Sequence, residues 1–513
     1  EILSDFIHYS QRTTKNDWNL VAPTVKHPIM SNLGDSGAIS LETKKQPSGC
    51  RDPIFAVVFY ANLIIIAVLC IKFGPDAYKS NIDADSDSAA DGDDDTADGD
   101  DASSPSLVGF LYAALGGSGI SVVLSGLMIL LMIPTASFLI KLALLFNVAM
   151  SGLLAVVAVA TGNWPFAIIA VIFFLIFCCY AKAVWSRIPF ATANLVTATK
   201  AIKVNFGVTL IGYVMVVLAI GWTVLWVTAF LGVQDSIIEC VNVKDANGDD
   251  KTMCDNPNYG ILFLFLVSYY FVHQVLKNVV HVTVAGVVGT WWFAPDEKGC
   301  CGKAIFGSLC RALTTSFGSI CFGSLIVAAI QALRTLVDVA KSNDDIGNTL
   351  ACCIDCLLSC IESIVEYFNK WAFIYVGLYG YGYCEAGKSV MTLFKDRGWD
   401  AIIADDLIGM VLGMLSLVVG LITGAFTLVF VETTSWFDEF LVDNTKGNAQ
   451  VLAFIIGLIV GIFMCSILLS AIDSAVLAVI VLFAEAPAEF ESNYPELSQD
   501  MRKAYAKAHP GYE

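Results

Sequence analysis

The chain has 513 residues, of which 57% are hydrophobic and 15% charged, and its mean hydropathy is +0.70. Soluble domains carry about 25% charged residues, and here the apolar residues come in runs of about twenty or more, the length that spans a bilayer; an array of soluble domains is excluded. With 47 acidic against 29 basic residues and a formal charge of −18, nucleic acid is excluded as a partner, because phosphate binding needs a basic surface.

In chain order, residues 1–53 are polar, contain Pro23, Pro28 and Pro47, and read as a disordered cytosolic tail. No short apolar region with a cleavage site precedes the first span, so no removable signal peptide is expected. Residues 54–74 form the first transmembrane helix. Residues 75–106 read as a disordered, acidic extracellular loop, with eleven Asp against Lys79 alone between positions 76 and 101. Nine further spans make a transport core over 107–483: Leu107–Ile133, Ser137–Ala160, Pro165–Trp185, Phe206–Leu231, Tyr259–Phe293, Ala304–Val337, Trp371–Phe394, Asp406–Val431 and Val451–Phe483. Residues 484–513 form a polar cytosolic tail. Segment Ala351–Asn369 sets Asp355, Glu362 and Glu366 on one helical side and Leu357, Leu358, Ile361, Ile364 and Val365 on the other, the pattern of an amphipathic helix at the membrane interface. The expected fold class is therefore an all-α polytopic membrane protein with about ten transmembrane helices and an additional amphipathic interfacial helix.

Loop 186–205 holds Arg187, Lys200 and Lys203 without an acid, which places it in the cytosol. An even number of spans then puts both termini there and the loop containing Cys240 and Cys254 outside. Those two cysteines are the candidate disulfide, worth about 3 kcal/mol for a loop of that size, with two free thiols as the alternative. The remaining cysteines lie in apolar runs or beside basic segments. In Cys352, Cys353, Cys356 and Cys360 only one CxxC is present without a second ligand pair, so no metal site is expected. Palmitoylation or plain packing is the reading for these and for Cys300 and Cys301. The turn Asp245–Asp249 resembles a calcium loop but has Asp250 where the sixth position needs Gly. No Walker A, HExxH or GxSxG motif occurs, so neither ATP-driven transport nor a common hydrolase is supported; no enzyme activity and no cofactor are expected.

The sixth span carries the densest polar pattern. His273, Lys277 and His281 recur every four residues and share one helical face. Lys277 falls near the bilayer centre, where a charge costs roughly 2.5–3.5 kcal/mol and must face protein or a water-filled cavity. Asp473 and Glu385 are intramembrane carboxylates, with Asp473 a partner for Lys277 or for a substrate cation. Aromatic residues crowd these charges: Tyr213 and Trp222 on the fifth span, Tyr269 and Tyr270 on the sixth, Tyr375, Tyr379, Tyr381 and Tyr383 on the eighth. Aromatic faces recognise quaternary ammonium ions, whose heads donate no hydrogen bonds. Trp226, Trp291 and Trp292, near span ends, read as an interfacial belt. Gly409/Gly413, Gly420/Gly424 and Gly457/Gly461 are GxxxG pairs that permit close helix contact, and Gly377, Gly380 and Gly382 weaken the eighth span, as a cavity-lining break does.

The run Gly318-Ser-Ile-Cys-Phe-Gly323-Ser-Leu-Ile326 resembles the signature of the choline transporter-like family, as do Gln274…Asn278…His281-Val-Thr-Val-Ala-Gly286, the cysteines at 352–356 and Tyr375…Tyr379-Gly380. Phe483-Ala-Glu485…Glu489-Phe-Glu491…Tyr494 is similar to the family's acidic C-terminal motif. The short Asp-rich first loop, without Cys or a glycosylation sequon, resembles the fungal and protist branch. The resemblance implies ten spans, cytosolic termini and facilitated passage of choline or a related cation such as ethanolamine across a plasma or organelle membrane, the plasma membrane first. The histidines of the sixth span make a proton-linked route the other expectation. Tyr213, Trp222, Tyr270, Lys277, His281, Tyr375, Tyr379, Glu385 and Asp473 are the candidate substrate-binding residues, and His273 and His281 the candidates for a proton link. The alternative is a non-transporting scaffold or a lipid-interacting membrane protein, in which the polar stripe only binds helices together. Membrane lipids are partners in either case.

Overall fold

A computed structural model describes residues 49–90, 107–237, 240–244, 250–254, 258–297, 299, 302–342, 348–433 and 446–508. The N-terminal tail up to residue 48, the acidic loop over 91–106, the calcium-like turn at 245–249, and Cys300 and Cys301 lie outside the described residues.

Helices α1 (Pro53–Ala90), α2 (Leu107–Ala160) and α3 (Trp164–Val184) lead into a 3₁₀ turn at Trp185–Arg187 and α4 (Ile188–Val204). Then come α5 (Gly207–Ile237), a hairpin of β1 (Cys240–Lys244) and β2 (Asp250–Cys254), and α6 (Tyr259–Phe293). A short α7 (Lys303–Leu313), α8 (Phe317–Ser342), α9 (Asn348–Tyr379), α10 (Tyr383–Thr433) and α11 (Lys446–Glu485) complete the bundle, and α12 (Pro487–Asn493) and α13 (Pro495–Ala508) follow it. Among the described residues eight helical segments are long and apolar enough to cross a membrane. The architecture is the all-α polytopic one read from the sequence, with a two-stranded hairpin attached.

Several boundaries differ, each for a physical reason. Two expected spans merge in α2, 54 residues long with Pro134 inside. A proline lacks one helical N–H but its fixed φ suits the helix, so neighbouring apolar turns carry α2 through it. The expected span 304–337 is divided at Thr314–Ser316, leaving α7 as an amphipathic element that exposes Phe306 and buries Ala304, Ile305 and Ala312. The first helix continues to Ala90 instead of ending at residue 74, and the expected polar tail holds two helices. The span expected over 371–394 does break at its glycines: Gly380, at φ +68°, ends α9. Upstream, the amphipathic segment is continuous with that span in one 32-residue helix.

At the crossing of α10 and α11, a Cβ on Gly461 would stand 2.8 Å from the Gly420 Cα, and one on Gly457 2.9 Å from the Gly424 Cα. Those two GxxxG pairs therefore set the helix approach. Gly409 and Gly413 meet nothing within 4 Å and do not.

One end of the bundle is knotted by a single carboxylate. Asp52, at φ 49°, accepts from the Tyr383 backbone N–H at 2.9 Å and the Ser319 hydroxyl at 2.6 Å. It thereby caps α10 and ties the starts of α1 and α8 to the α9–α10 break; an Asp tolerates this left-handed conformation because its short side chain bonds locally. A Cβ on Gly318 would lie 2.3 Å from the carbonyl oxygens of both Arg51 and Asp52, which explains the glycine that opens the signature run. Gly318→Ala is expected to cost at least about 1–3 kcal/mol, the range for an overpacked core, read as a lowered thermal midpoint and a smaller monodisperse fraction in detergent.

In the hairpin, antiparallel register sets Cys240 directly opposite Cys254. Such partners have Cα atoms about 4.5–5.5 Å apart, within the span a disulfide bridges. Peptide mapping without reduction is expected to recover the two linked; recovery of both as alkylated free thiols would remove the bridge.

Candidate functional site

A seam of polar residues runs between α6, α8 and α9. Asp355, Glu362 and Glu366 share a face of α9, which turns toward protein, while Leu357, Ile361 and Ile364 on the far side are exposed. Arg334 on α8 holds two of the acids, Nε donating to Asp355 at 2.7 Å and Nη1 to Glu362 at 3.1 Å. One level along, Gln274 donates to Gln331 at 3.1 Å and to Glu366 at 3.3 Å. Lys277 lies 4.0 Å from Glu366, its side chain 68% exposed. The charged side of this amphipathic helix thus packs against α6 and α8, and its apolar side is exposed.

The seam leads to an ion triad, buried at Asp405 and part-exposed at Lys370 and Asp473. Lys370 on α9 places its ammonium 3.1 Å from Asp405 on α10 and 3.1 Å from Asp473 on α11. Asp473 therefore pairs with Lys370, and the expected pairing with Lys277 is corrected. His281 braces the same level: Nε2 meets the Lys370 carbonyl at 2.8 Å, and Nδ1 meets the Ser474 hydroxyl at 2.5 Å. A carbonyl only accepts, so Nε2 carries hydrogen. His281 is a clamp between α9 and α11.

Farther along the same two helices stands an aromatic group. Rings of Tyr375, Tyr379 and Tyr381 lie with centroids 5.9, 5.5 and 6.5 Å apart. The Tyr375 hydroxyl donates to Glu485 at 2.6 Å, and the same carboxylate faces the Tyr379 hydroxyl. Tyr375 is buried, Tyr379 and Tyr381 are half-buried, and Glu485 is exposed at the rim. The break at Gly380 makes this possible, because a continuous helix would carry residue 381 round to another face. Three aromatic rings beside one carboxylate are groups chemically suited to a quaternary or primary ammonium ion.

Other expected site residues stand apart. The Tyr213 hydroxyl donates to the Met464 carbonyl at 3.3 Å, Tyr270 shares a 2.9 Å bond with Thr335, and His273 meets Thr223 at 3.1 Å. Trp222 is buried on α5. Glu385 is exposed in the first turn of α10, ahead of the candidate span Ala401–Phe430. Nor do the tryptophans form an interfacial belt. Trp226 is buried and donates to the Phe265 carbonyl at 3.0 Å, while Trp292 stacks on Phe490 of α12 at 3.9 Å and Trp291 on Tyr494 at 4.3 Å.

Lys370, Asp405 and Arg334 are not among the residues expected from sequence, and Glu485 is expected only as part of the C-terminal motif. Lys370 had a legible signal, since it extends the stripe of Asp355, Glu362 and Glu366 at helical spacing; assigning a boundary at Trp371 cut it off.

Comparison with known proteins bears on the same stretch. A family described as plasma-membrane choline transporter matches residues 166–488, which hold the triad, the tyrosines and Glu485. Protein PNS1 of Mycosarcoma maydis is 30% identical over 476 residues, covering 90% of this chain and 84% of its own. The chain belongs to the choline transporter-like family. Protein PNS1 of Saccharomyces cerevisiae is 28% identical, covering 68% of this chain and 66% of its own. A CTL-like protein of Dictyostelium discoideum is 34% identical, covering 46% and 40% respectively. As a member of the family, the chain has its polar seam, ion triad and tyrosine group inside the matched region.

Proposed function

We propose that this membrane protein carries choline-like amino-alcohol cations across the bilayer, with the tyrosine group as a cation-binding station. The observation that carries the reading is the convergence of Tyr375, Tyr379 and Tyr381 on Glu485 at a glycine-broken helix. Cation–π attraction supplies recognition that needs no donor on the ligand head, and the carboxylate supplies the compensating charge. Movement down the membrane potential provides about 2.3 kcal/mol per charge per 100 mV, so no nucleotide is required and no catalytic step is assigned.

Beside the tyrosines, Arg51 precedes Asp52, which is bonded to Tyr383. The chain that continues past Glu485 into α13, with Arg502, Lys503 and Lys507, packs through Tyr505 on Phe190 of α4, the helix that carries Lys200 and Lys203 and follows Arg187. By the positive-inside rule the end carrying them is the cytosolic one, with both termini on that side and the hairpin outside. The plasma membrane is the proposed location.

The test is uptake of labelled choline into vesicles containing the purified protein, with an imposed negative interior potential. Saturable uptake, competed by ethanolamine and absent from empty vesicles, is expected. Choline and ethanolamine both at the level of empty vesicles would refute the reading and favour the scaffold role.

A further inference from the structure

The two arms of the triad at Lys370 are equal in length and unequal in burial. Two carboxylates share one ammonium, so the Lys370–Asp405–Asp473 group carries one formal negative charge in excess. A buried unpaired charge is costly, and the imbalance makes the triad receptive to a second cation. Asp405 is sealed, with 4% of its side chain exposed, while Asp473 and Lys370 stand at 26% and 27%. Asp405 has the Tyr367 hydroxyl beside it as well as Lys370; the hydrogen bond of Asp473 is to Lys370 alone among the described residues. His281 holds the Lys370 carbonyl, so the backbone at this level is fixed while the long, flexible ammonium stem can swing.

We propose that Lys370 is a tethered counter-cation: in this arrangement it is shared between Asp405 and Asp473, 3.1 Å from each, and the transported cation takes Asp473 while Lys370 withdraws onto Asp405 alone. The proposal rests on the cation-carrier reading and extends it from the tyrosine group to a second level of the same two helices. On leaving, the cargo is replaced by Lys370, so Asp473 is never left without a cation. Lys370 is then a competitor that sets affinity and speeds release, and Asp473 is the exchangeable acceptor. A purely structural ion triad would have neither property.

The test pairs equilibrium binding of labelled choline to the detergent-purified full chain with uptake into vesicles. The double variant Lys370→Met/Asp405→Asn keeps the net charge of the triad at −1 and leaves Asp473 without its competitor. A tethered group acts at roughly millimolar effective concentration or above, so its removal is expected to tighten choline binding by about tenfold or more. In the same variant KM and kcat should fall together, because release slows. Asp473→Asn should bind at least about tenfold more weakly. A folded double variant with wild-type affinity and turnover overturns the proposal, even with the carrier reading intact. If that variant does not fold, Lys370→Arg decides: a guanidinium grips two carboxylates more firmly, so a raised KM is expected, and an unchanged KM overturns the idea. Wild-type protein that binds neither choline nor ethanolamine removes the carrier reading and this proposal with it.

Discussion

Tyr379→Ala should lower the initial rate of choline uptake about tenfold, and Glu485→Gln by at least as much. A desolvated cation–π contact is worth up to about 2 kcal/mol, and about 1.4 kcal/mol is a factor of ten in binding. Tyr379 is half-buried between the rings of Tyr375 and Tyr381, so its loss opens the middle of the group. Glu485→Gln preserves an acceptor for the Tyr375 hydroxyl, which now lies 2.6 Å away, and removes only the charge. Tyr379→Phe is the discriminating control. It keeps the π face and deletes the hydroxyl, so uptake should stay within about threefold of wild type if the ring binds the cation. Equal losses in Phe and Ala would make Tyr379 a hydrogen-bonding residue that holds α9 to α11, and a wild-type rate in Ala would remove it from the site. Vesicle uptake at fixed potential, on protein shown to be monodisperse, reads all three variants.

Most of the architecture was legible because apolar runs and glycine spacing are local signals. The break at Gly380 followed from three glycines in six residues, and the GxxxG pairs of α10 and α11 from their spacing. What was not legible depends on which faces meet. A stripe of acids on Ala351–Asn369 with an apolar opposite side is the same pattern whether the acids face water at an interface or an Arg on a neighbouring helix. Arg334 decides between them, and it comes from α8. The partner of Asp473 is a similar case: two lysines are available, on α6 and α9, and helix rotation selects Lys370. Asp405 was hidden because two adjacent acids, Asp405 and Asp406, look like a span boundary, whereas α10 has already run from Tyr383 when it reaches them. Glu485 lay in plain view within the acidic C-terminal motif, but its role requires the tyrosines that only the turn at Gly380 brings together.

Phe490→Ala should destabilise the protein by about 3–5 kcal/mol, the range for truncating a buried aromatic. Its side chain is fully buried, stacked at 3.9 Å and 11° on Trp292, on a helix of only seven residues. So short a helix has little stability of its own and is held by its neighbours. The Trp292 indole donates to the Ala486 carbonyl at 2.9 Å, and Asn493 donates back to the Trp292 carbonyl at 2.8 Å. The Tyr494 hydroxyl donates to the Trp291 carbonyl at 3.2 Å; burial pushes that hydroxyl up to about 12, so it keeps its proton throughout the physiological range. These contacts fix the chain leaving α11 within five residues of Glu485. Thermal unfolding in detergent should show the loss, with Phe490→Leu costing less than about 1.5 kcal/mol because most of the volume remains. The functional consequence distinguishes a positioning segment from an independent tail. If α12 holds Glu485 against the tyrosines, folded Phe490→Ala protein at low temperature should show a raised KM for choline. A lowered midpoint with an unchanged KM would leave Phe490 as packing alone.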